Sequence, residues 1–349
     1  MVTKRTCTND NDGLVFSDLV KYHQEISELP TPNHYKFLAV WDMHTYLIDK
    51  FQYSPIVWFF GITQRGKSRT AKAMTFVSRR GMATVTFRES HILRMTQDLE
   101  ATIFFDSKDL WKRAESTGVE DVLLNRFEYG AKVPRVLYPE RGKFRDTVYY
   151  SVYGASIFAT NEILDEVMAT RTIQIMMPES RRDFRTDVQP EIGLPFRERL
   201  CAFRARWMDR VLPSAEKIFS NRLGDIIRPI HQIVKIVDQS DQWLVEFTKM
   251  VEANRKKAGA DSLDAQVVAA MKDSHGAISH GHLLHEDILA NLNKGKSARE
   301  EITPQKLGRV TQRLGFEKHT DGQRRGIIWN EQNFLRLCER YGIELEGWL

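Results

Sequence analysis

The stretch Gly61-Ile62-Thr63-Gln64-Arg65-Gly66-Lys67-Ser68 decides the fold. It fits the phosphate-loop pattern G-x-x-x-x-G-K-[ST], which has meaning only between a strand and a helix. The apolar run at 56–60 follows Pro55 and favours a buried parallel strand, and residues 69–74 have helical character. A glycine-rich turn in this position directs backbone N–H groups and the positive end of a helix dipole at a phosphate.

These residues predict a site for a nucleoside triphosphate, taken as ATP, with Mg²⁺. Lys67 would neutralise phosphate charge, and the Ser68 hydroxyl would bind Mg²⁺. The loop residues Gly61, Thr63, Gly66 and Arg69 complete the predicted contacts. The competing interpretation is a chance glycine-rich turn before a helix, and the flanking strand and helix argue against it.

Composition restricts the class of protein. The 349 residues suffice for about two domains with extensions. Hydrophobic residues make up 42% and charged residues 28%, as in ordinary globular proteins. We find neither a signal peptide nor an apolar run long enough for a membrane span, so the expected location is the cytoplasm, with no membrane partner. The three cysteines match no zinc or redox spacing, and the net charge of +5 permits a polyanionic partner.

Four further apolar runs predict strands. They lie at 82–87, 102–105, 156–160 and 172–177, and helical stretches separate them. Strands that alternate with helices indicate a three-layer α/β core around a parallel sheet. The run at 102–105 ends in Asp106, where a carboxylate could organise magnesium, and the run at 156–160 ends in Asn161.

A β-hairpin with a Pro/Gly turn is predicted between residues 132 and 153. A projecting hairpin that carries positive charge suits contact with a phosphate backbone, although a solvated edge hairpin protected by charge is an equal alternative. The cations on it are Lys132, Arg135, Arg141, Lys143 and Arg145.

Taken together, these motifs resemble the AAA+ ATPases. The phosphate loop, Asp106, the hairpin, Ala159-Thr160-Asn161 and Arg171 occur in the order of that family. The nearest similarity is to helicase-like ATPases of phages, plasmids and other mobile elements, with features of superfamily III and MCM-type helicases. The segment from Trp41 to Pro55 also looks like the one that precedes the phosphate loop in the mobile-element proteins. The resemblance covers about residues 34–250.

The resemblance implies roles for several residues. Lys67, Asp106, Asn161 and Arg171 would be catalytic. Asn161 would orient the attacking water, and Arg171 would be an arginine finger that reaches the neighbouring subunit of a ring, expected to be a hexamer. Arg222 would be the lid arginine, with Arg204, Arg206 and Arg228 as competitors. Arg141 and Lys143 on the hairpin would grip single-stranded DNA in a central pore.

One position departs from the family pattern. The glutamate that activates water usually follows the metal-organising acid, and here that position is Ser107, which cannot act as a base. Asp109 could replace it, or Asp106 could carry both roles; otherwise hydrolysis is slow. Arg65 inside the loop, where a small residue is more usual, is a milder departure.

The C-terminal part resembles a winged helix. Helices are predicted at 263–271, 283–292 and 303–315, followed by a strand-turn-strand unit and a last helix capped by Asn330. Such a fold would bind DNA, and the sequence leaves open whether that DNA is double-stranded. The alternative is that this fold serves as a protein-interaction module. The predicted DNA contacts are Lys306, Arg309, Arg313, Arg324 and Arg325. The histidines nearby invite a zinc interpretation, but a solvated loop is favoured (His275, His280, His282 and His285).

The sequence thus predicts an N-terminal extension (1–33), an AAA+ core (34–190), a helical lid and connector (191–255) and a winged-helix domain (260–349), with the basic stretch 255–260 as a linker. The leading functional hypothesis is an ATP-dependent, ring-forming DNA helicase or translocase of a mobile-element replication system. The alternative is a weakly hydrolysing DNA-binding or assembly factor in which nucleotide clamps subunits together. A small-molecule kinase is a third hypothesis, which the arginine-finger pattern and the winged helix disfavour.

Overall fold

The chain divides into two units, Met1–Lys249 and Met250–Leu349. A computed structural model describes residues 10–138, 140, 147–161, 166–238, 240–260, 262–297, 300–322 and 324–345. The finer division into four segments stays a prediction.

The first unit alternates strands and helices. In chain order its elements are α1 (Asp12–Ile26), α2 (Pro32–Tyr46), β1 (Ile56–Phe60), α3 (Lys67–Val77), β2 (Gly81–Thr84), α4 (Glu89–Gln97), β3 (Thr102–Asp106), α5 (Leu110–Thr117), α6 (Glu120–Asn125), β4 (Lys132–Val136), β5 (Thr147–Ser151), β6 (Ser156–Thr160), α7 (Glu166–Ala169), β7 (Thr172–Met176), α8 (Pro190–Trp207), α9 (Arg222–Val237) and α10 (Gln242–Ala260).

Five strands form one parallel sheet in the order β2-β3-β6-β1-β7, flanked by helices. All five predicted strands are therefore confirmed, with ends within a few residues of those expected. The central strands are apolar throughout because they are covered on both faces, and β6 is buried at every position. The register pairs Phe60 of β1 with Thr160 of β6 and with Met176 of β7, so the three strands end together.

The helix that follows the phosphate loop lies on this sheet. Helix α3 contacts β1, β3 and β6, and α1, α2 and α8 pack against it. The packing is anchored by tyrosines, because the hydroxyl of Tyr22 donates to the carbonyl of Ala73 at 3.1 Å and that of Tyr46 to Val77 at 2.9 Å. The first helix therefore belongs to the same unit as the sheet and holds α3 from outside.

The predicted hairpin is confirmed as β4 and β5, which pair antiparallel. The turn that connects them, with Arg141, Lys143 and Arg145, lies outside the described residues. Arg135 corrects one expectation for this hairpin. Its guanidinium binds Glu89 of α4 and lies 3.0 Å from the carboxylate of Asp121 on α6, so it fixes the hairpin to the sheet unit instead of facing a ligand.

The second unit begins within α10. It contains α11 (Leu263–Asp273), β8 (His282–Leu284), α12 (His285–Leu292), α13 (Pro304–Arg313), β9 (Lys318–Asp321), β10 (Arg324–Ile328) and α14 (Glu331–Tyr341). The strands form a sheet in the order β8-β10-β9, and the predicted cap is present, since Asn330 accepts from the backbone N–H of Asn333.

Two segments of this region differ in local structure from what their sequence indicates. Residues 255–260 are helical and end α10; lysine, arginine and alanine favour helix, and one glycine does not break it. The start of the predicted second helix is the strand β8, whose three residues are too few to show a period-2 pattern.

No helix among the described residues has both the length and the apolar composition that crossing a membrane requires.

Candidate nucleotide-binding site

The predicted phosphate loop lies between β1 and α3. Its backbone needs glycine at two positions, because Gly61 has φ 147° and Gly66, the residue before α3, has φ 77°. A Cβ on Gly66 would meet no atom within 4 Å, so conformation and not space selects glycine there. The loop therefore has the strand-turn-helix geometry that a phosphate site requires.

Lys67 lies inside this loop. Its ammonium donates to the carbonyl oxygens of Gly61 at 2.7 Å and Ile62 at 2.6 Å. Burial lowers the pKa of Lys67, the charge of Arg65 lowers it further, and Asp106 opposes both effects. The amine is thus held where a phosphate would replace the two carbonyls as its partner.

Ser68 and Asp106 form the predicted metal pair. The Ser68 hydroxyl donates to Oδ1 of Asp106 at 3.0 Å, across the gap between α3 and the end of β3. Hydroxyl and carboxylate oxygens are the ligands that Mg²⁺ prefers, with water and phosphate oxygens completing its shell. The residues present therefore fit Mg²⁺ bound together with a nucleotide phosphate.

Asn161 lies at the same edge of the sheet. It follows β6, which pairs with both β1 and β3, and its backbone N–H donates to the carbonyl of Lys108 at 3.3 Å. The hydroxyl of Thr160 donates to the same carbonyl at 2.6 Å. These bonds tie the end of β6 to the loop after Asp106, and the Asn161 side chain is exposed beside it.

Two predicted loop contacts differ in their environment. Thr63 is exposed. Arg69 turns away from the loop, because its Nε donates to the carbonyl of Ile26 at 2.8 Å and its Nη2 to the carbonyl of Thr186. The structure therefore places Arg69 as a link between the end of α1 and the chain before α8.

Arg171 and Arg222 lie at the opposite edge of the sheet. Arg171 precedes β7, and its carbonyl accepts from the N–H of Ile56, the first residue of β1. Its guanidinium carbon is 4.9 Å from the ring centre of Phe127, and that of Arg222 is 5.1 Å from the same ring. The structure thus brings these two arginines together and does not bring either to the phosphate loop.

A strand rises about 3.3 Å per residue, so the five residues of β7 separate Arg171 from the loop edge by roughly 16 Å. That is farther than an arginine side chain extends. Arg222, predicted as the lid arginine, is similarly far from the phosphate loop because it contacts the same ring, Phe127, as Arg171. Within one chain, neither guanidinium can contact a phosphate held by Lys67.

Phe127, which the sequence analysis missed, is held by its buried neighbour Arg126. The Arg126 guanidinium donates to the carbonyls of Ala101 at 3.1 Å and Ala155 at 2.9 Å, and its Nε donates to Ser156 at 2.6 Å. Burial lowers its pKa to about 9. No local pattern marks this role, because the bonded carbonyls precede β3 and β6 and are distant in sequence.

The predicted DNA contacts of the second unit share exposed surfaces. Lys306, Arg309 and Arg313 lie on the exposed face of α13, opposite its buried Leu307 and Val310. Two of the five predicted contacts already have acidic neighbours. Arg313 binds Asp264, and Arg324 on β10 lies 4.0 Å from Glu286.

The four histidines do not form one solvated loop, since His282 lies on β8 and His285 is buried at the start of α12. Within the described ranges, no group of three or more His, Cys, Asp or Glu side chains is placed to hold a metal ion. Instead, the rings of His282 and His319 stack at 3.5 Å.

Comparisons with known proteins leave the family open. No family model matches the chain, and no curated protein matches it. Among solved structures, one described as "SCCmec type IV Cch - active helicase" aligns with a TM-score of 0.39 and 11% identity, over 96% of this chain and 72% of that chain. At this level the similarity carries no functional argument, so the assignment below depends on the chain's own residues.

We expect the Asp106→Asn substitution to reduce the Mg²⁺-dependent part of ATP affinity at least about tenfold, because the amide keeps the size of the side chain but loses its charge. Binding of a fluorescent ATP analogue, with and without Mg²⁺, measures this. Asp98→Asn, at an exposed carboxylate after α4, is the control. Equal Mg²⁺ dependence in the parent and Asp106→Asn would remove Asp106 from the metal site.

Proposed function

We propose that this chain is an AAA+ ATPase that assembles into a ring and works as a DNA helicase or translocase of a mobile-element replication system. The observation that carries the proposal is the separation of two sets of residues by the length of the sheet. Lys67, Ser68 and Asp106 lie at one edge, and Arg171 with Arg222 lies at the other.

This separation favours assembly. The guanidinium groups of Arg171 and Arg222 both lie over the aromatic ring of Phe127, and together they make a surface suited to an anion. Phosphoryl transfer needs such positive charge near the transferred phosphate. Because neither arginine reaches the loop of its own chain, both would act on the nucleotide of a neighbouring subunit. Arg222 is accordingly proposed as a second arginine acting between subunits, in place of a lid arginine acting within one.

DNA is the proposed partner of the second unit. Its helices α11, α12 and α13 and the strands β8, β9 and β10 support a winged-helix assignment, with α13 as the recognition helix. Lys306 and Arg309 lie one turn apart on its exposed face, where both can contact one DNA backbone.

The alternative function is a nucleotide clamp with little turnover. The observation that favours it is Ser107, which is buried beside Asp106 and carries a hydroxyl where the related ATPases have a basic carboxylate. In that case ATP would join subunits on DNA, and its hydrolysis would be too slow to drive movement.

Turnover of ATP with and without single-stranded DNA tests the motor. We expect DNA to accelerate hydrolysis, Lys67→Ala to abolish it, and Arg171→Ala to lower it about 10³-fold, the cost of losing a catalytic arginine. Arg94→Ala, at an exposed position on α4, is the control. A parent protein that binds ATP but barely hydrolyses it, with turnover restored by Ser107→Glu, would replace the motor by the clamp.

Salt dependence of DNA binding tests the second unit. In the full chain, we expect Lys306→Ala and Arg309→Ala each to weaken binding and to reduce the slope of log K against log salt by about 1. Arg313→Ala should have a smaller effect, since Asp264 already partners this guanidinium. Fluorescence anisotropy at several salt concentrations measures the slopes, with Arg336→Ala on the exposed side of α14 as the control. Slopes equal to that of the parent for both Lys306→Ala and Arg309→Ala would exclude α13 as the DNA contact.

A further inference from the structure

Arg113 places a further positive charge at the loop edge of the sheet, and no sequence motif indicated it. Nη1 of Arg113, on α5, lies 3.4 Å from the hydroxyl oxygen of Ser107. The guanidinium carbon also lies 5.1 Å from the ring centre of Phe87, which is buried against Phe105 of β3. The Arg113 head group is therefore held between a hydroxyl and an aromatic face.

The contact between Arg113 and Ser107 lies next to Ser68 and Asp106, the predicted metal ligands. Ser107 is the residue after Asp106, whose carboxylate accepts from Ser68. Ser107 is only 6% exposed, whereas Arg113 is exposed on α5. The guanidinium of Arg113 thus lies beside the residue that directly follows the predicted metal-binding acid.

The charges at this edge suit a polyanion. The charge of Arg65 lowers the pKa of the Lys67 ammonium, and Arg113 adds positive charge beside Ser107, the residue after Asp106. Glu179 neutralises Arg65 only loosely, at 3.8 Å. A nucleoside triphosphate carries more charge than a diphosphate, and its added charge is in the terminal phosphate, beside the metal.

We propose that Arg113 binds the terminal phosphate of the nucleotide and so makes the site prefer ATP to ADP. This inference rests on the proposed nucleotide function. Ser107 positions the guanidinium by its hydroxyl.

Competition binding tests the inference. Both ADP and a non-hydrolysable ATP analogue, in Mg²⁺, displace a fluorescent nucleotide from the parent, from Arg113→Gln and from Arg113→Lys. We expect Arg113→Gln to weaken the ATP analogue about tenfold, the scale of one charge-assisted hydrogen bond, while ADP affinity stays within about twofold. Arg113→Lys should keep part of the preference because it keeps the charge.

Lys112→Ala is the matched control, since it removes the same charge from the preceding, exposed position of α5. It should leave the ratio of the ATP-analogue and ADP affinities unchanged. An unchanged ratio in Arg113→Gln would overturn the inference while the proposed function stands, and would reduce Arg113 to a packing contact on Phe87. A parent that binds neither nucleotide would overturn the proposed function itself, and the two failures are therefore distinct.

Discussion

Parallel pairing of β1 with β6 and β7 is the constraint on which the rest of the first unit depends. It aligns the ends of three strands, so Gly61, Asn161 and Met177 come to one edge. The backbone N–H of Met177 donates to the carbonyl of Phe60 at 2.8 Å, directly before the loop begins. The same pairing sends the residues that precede the strands to the other edge. A chain built this way carries its phosphate loop and its arginine pair on opposite edges of the sheet.

The arginine edge depends on a buried charge. The guanidinium of Arg126 is fully buried and donates to main-chain carbonyls and to the hydroxyl of Ser156. A buried cation of this kind is stable only where every donor finds an acceptor. The bonds join the segments before β3 and β6, and they fix the neighbouring Phe127 under Arg171 and Arg222. The geometry of the proposed intersubunit contact therefore starts from the interior of the sheet unit.

Sequence patterns predicted what is local. The five strands were recognisable because covered strands are continuous apolar runs. The contact between Ser68 and Asp106 was expected because the loop motif predicts an acid at a nearby strand end. The hairpin and the helix cap at Asn330 could also be predicted, because each is formed by residues that are close together in the sequence.

Contacts between distant segments could not be predicted. Arg135 carried the same charge in the sequence as its neighbours on the hairpin, and only the fold shows that Glu89 and Asp121 bind it. The shared contact of Arg222 and Arg171 with Phe127 also had no signal in the sequence. Arg113 has no spacing that ties it to Ser107, because a turn of helix and a loop determine their approach.

The central claim is that a nucleotide site is completed by a neighbouring subunit, and mixing two inactive proteins tests it most directly. Lys67→Ala and Arg171→Ala are purified separately, and ATP turnover is measured for each alone and for the mixture with single-stranded DNA. The account predicts that the mixture hydrolyses ATP well above either protein alone, because an intact loop in one subunit then meets an intact arginine in the next. A mixture as inactive as its components, at concentrations where the parent is active, would contradict it.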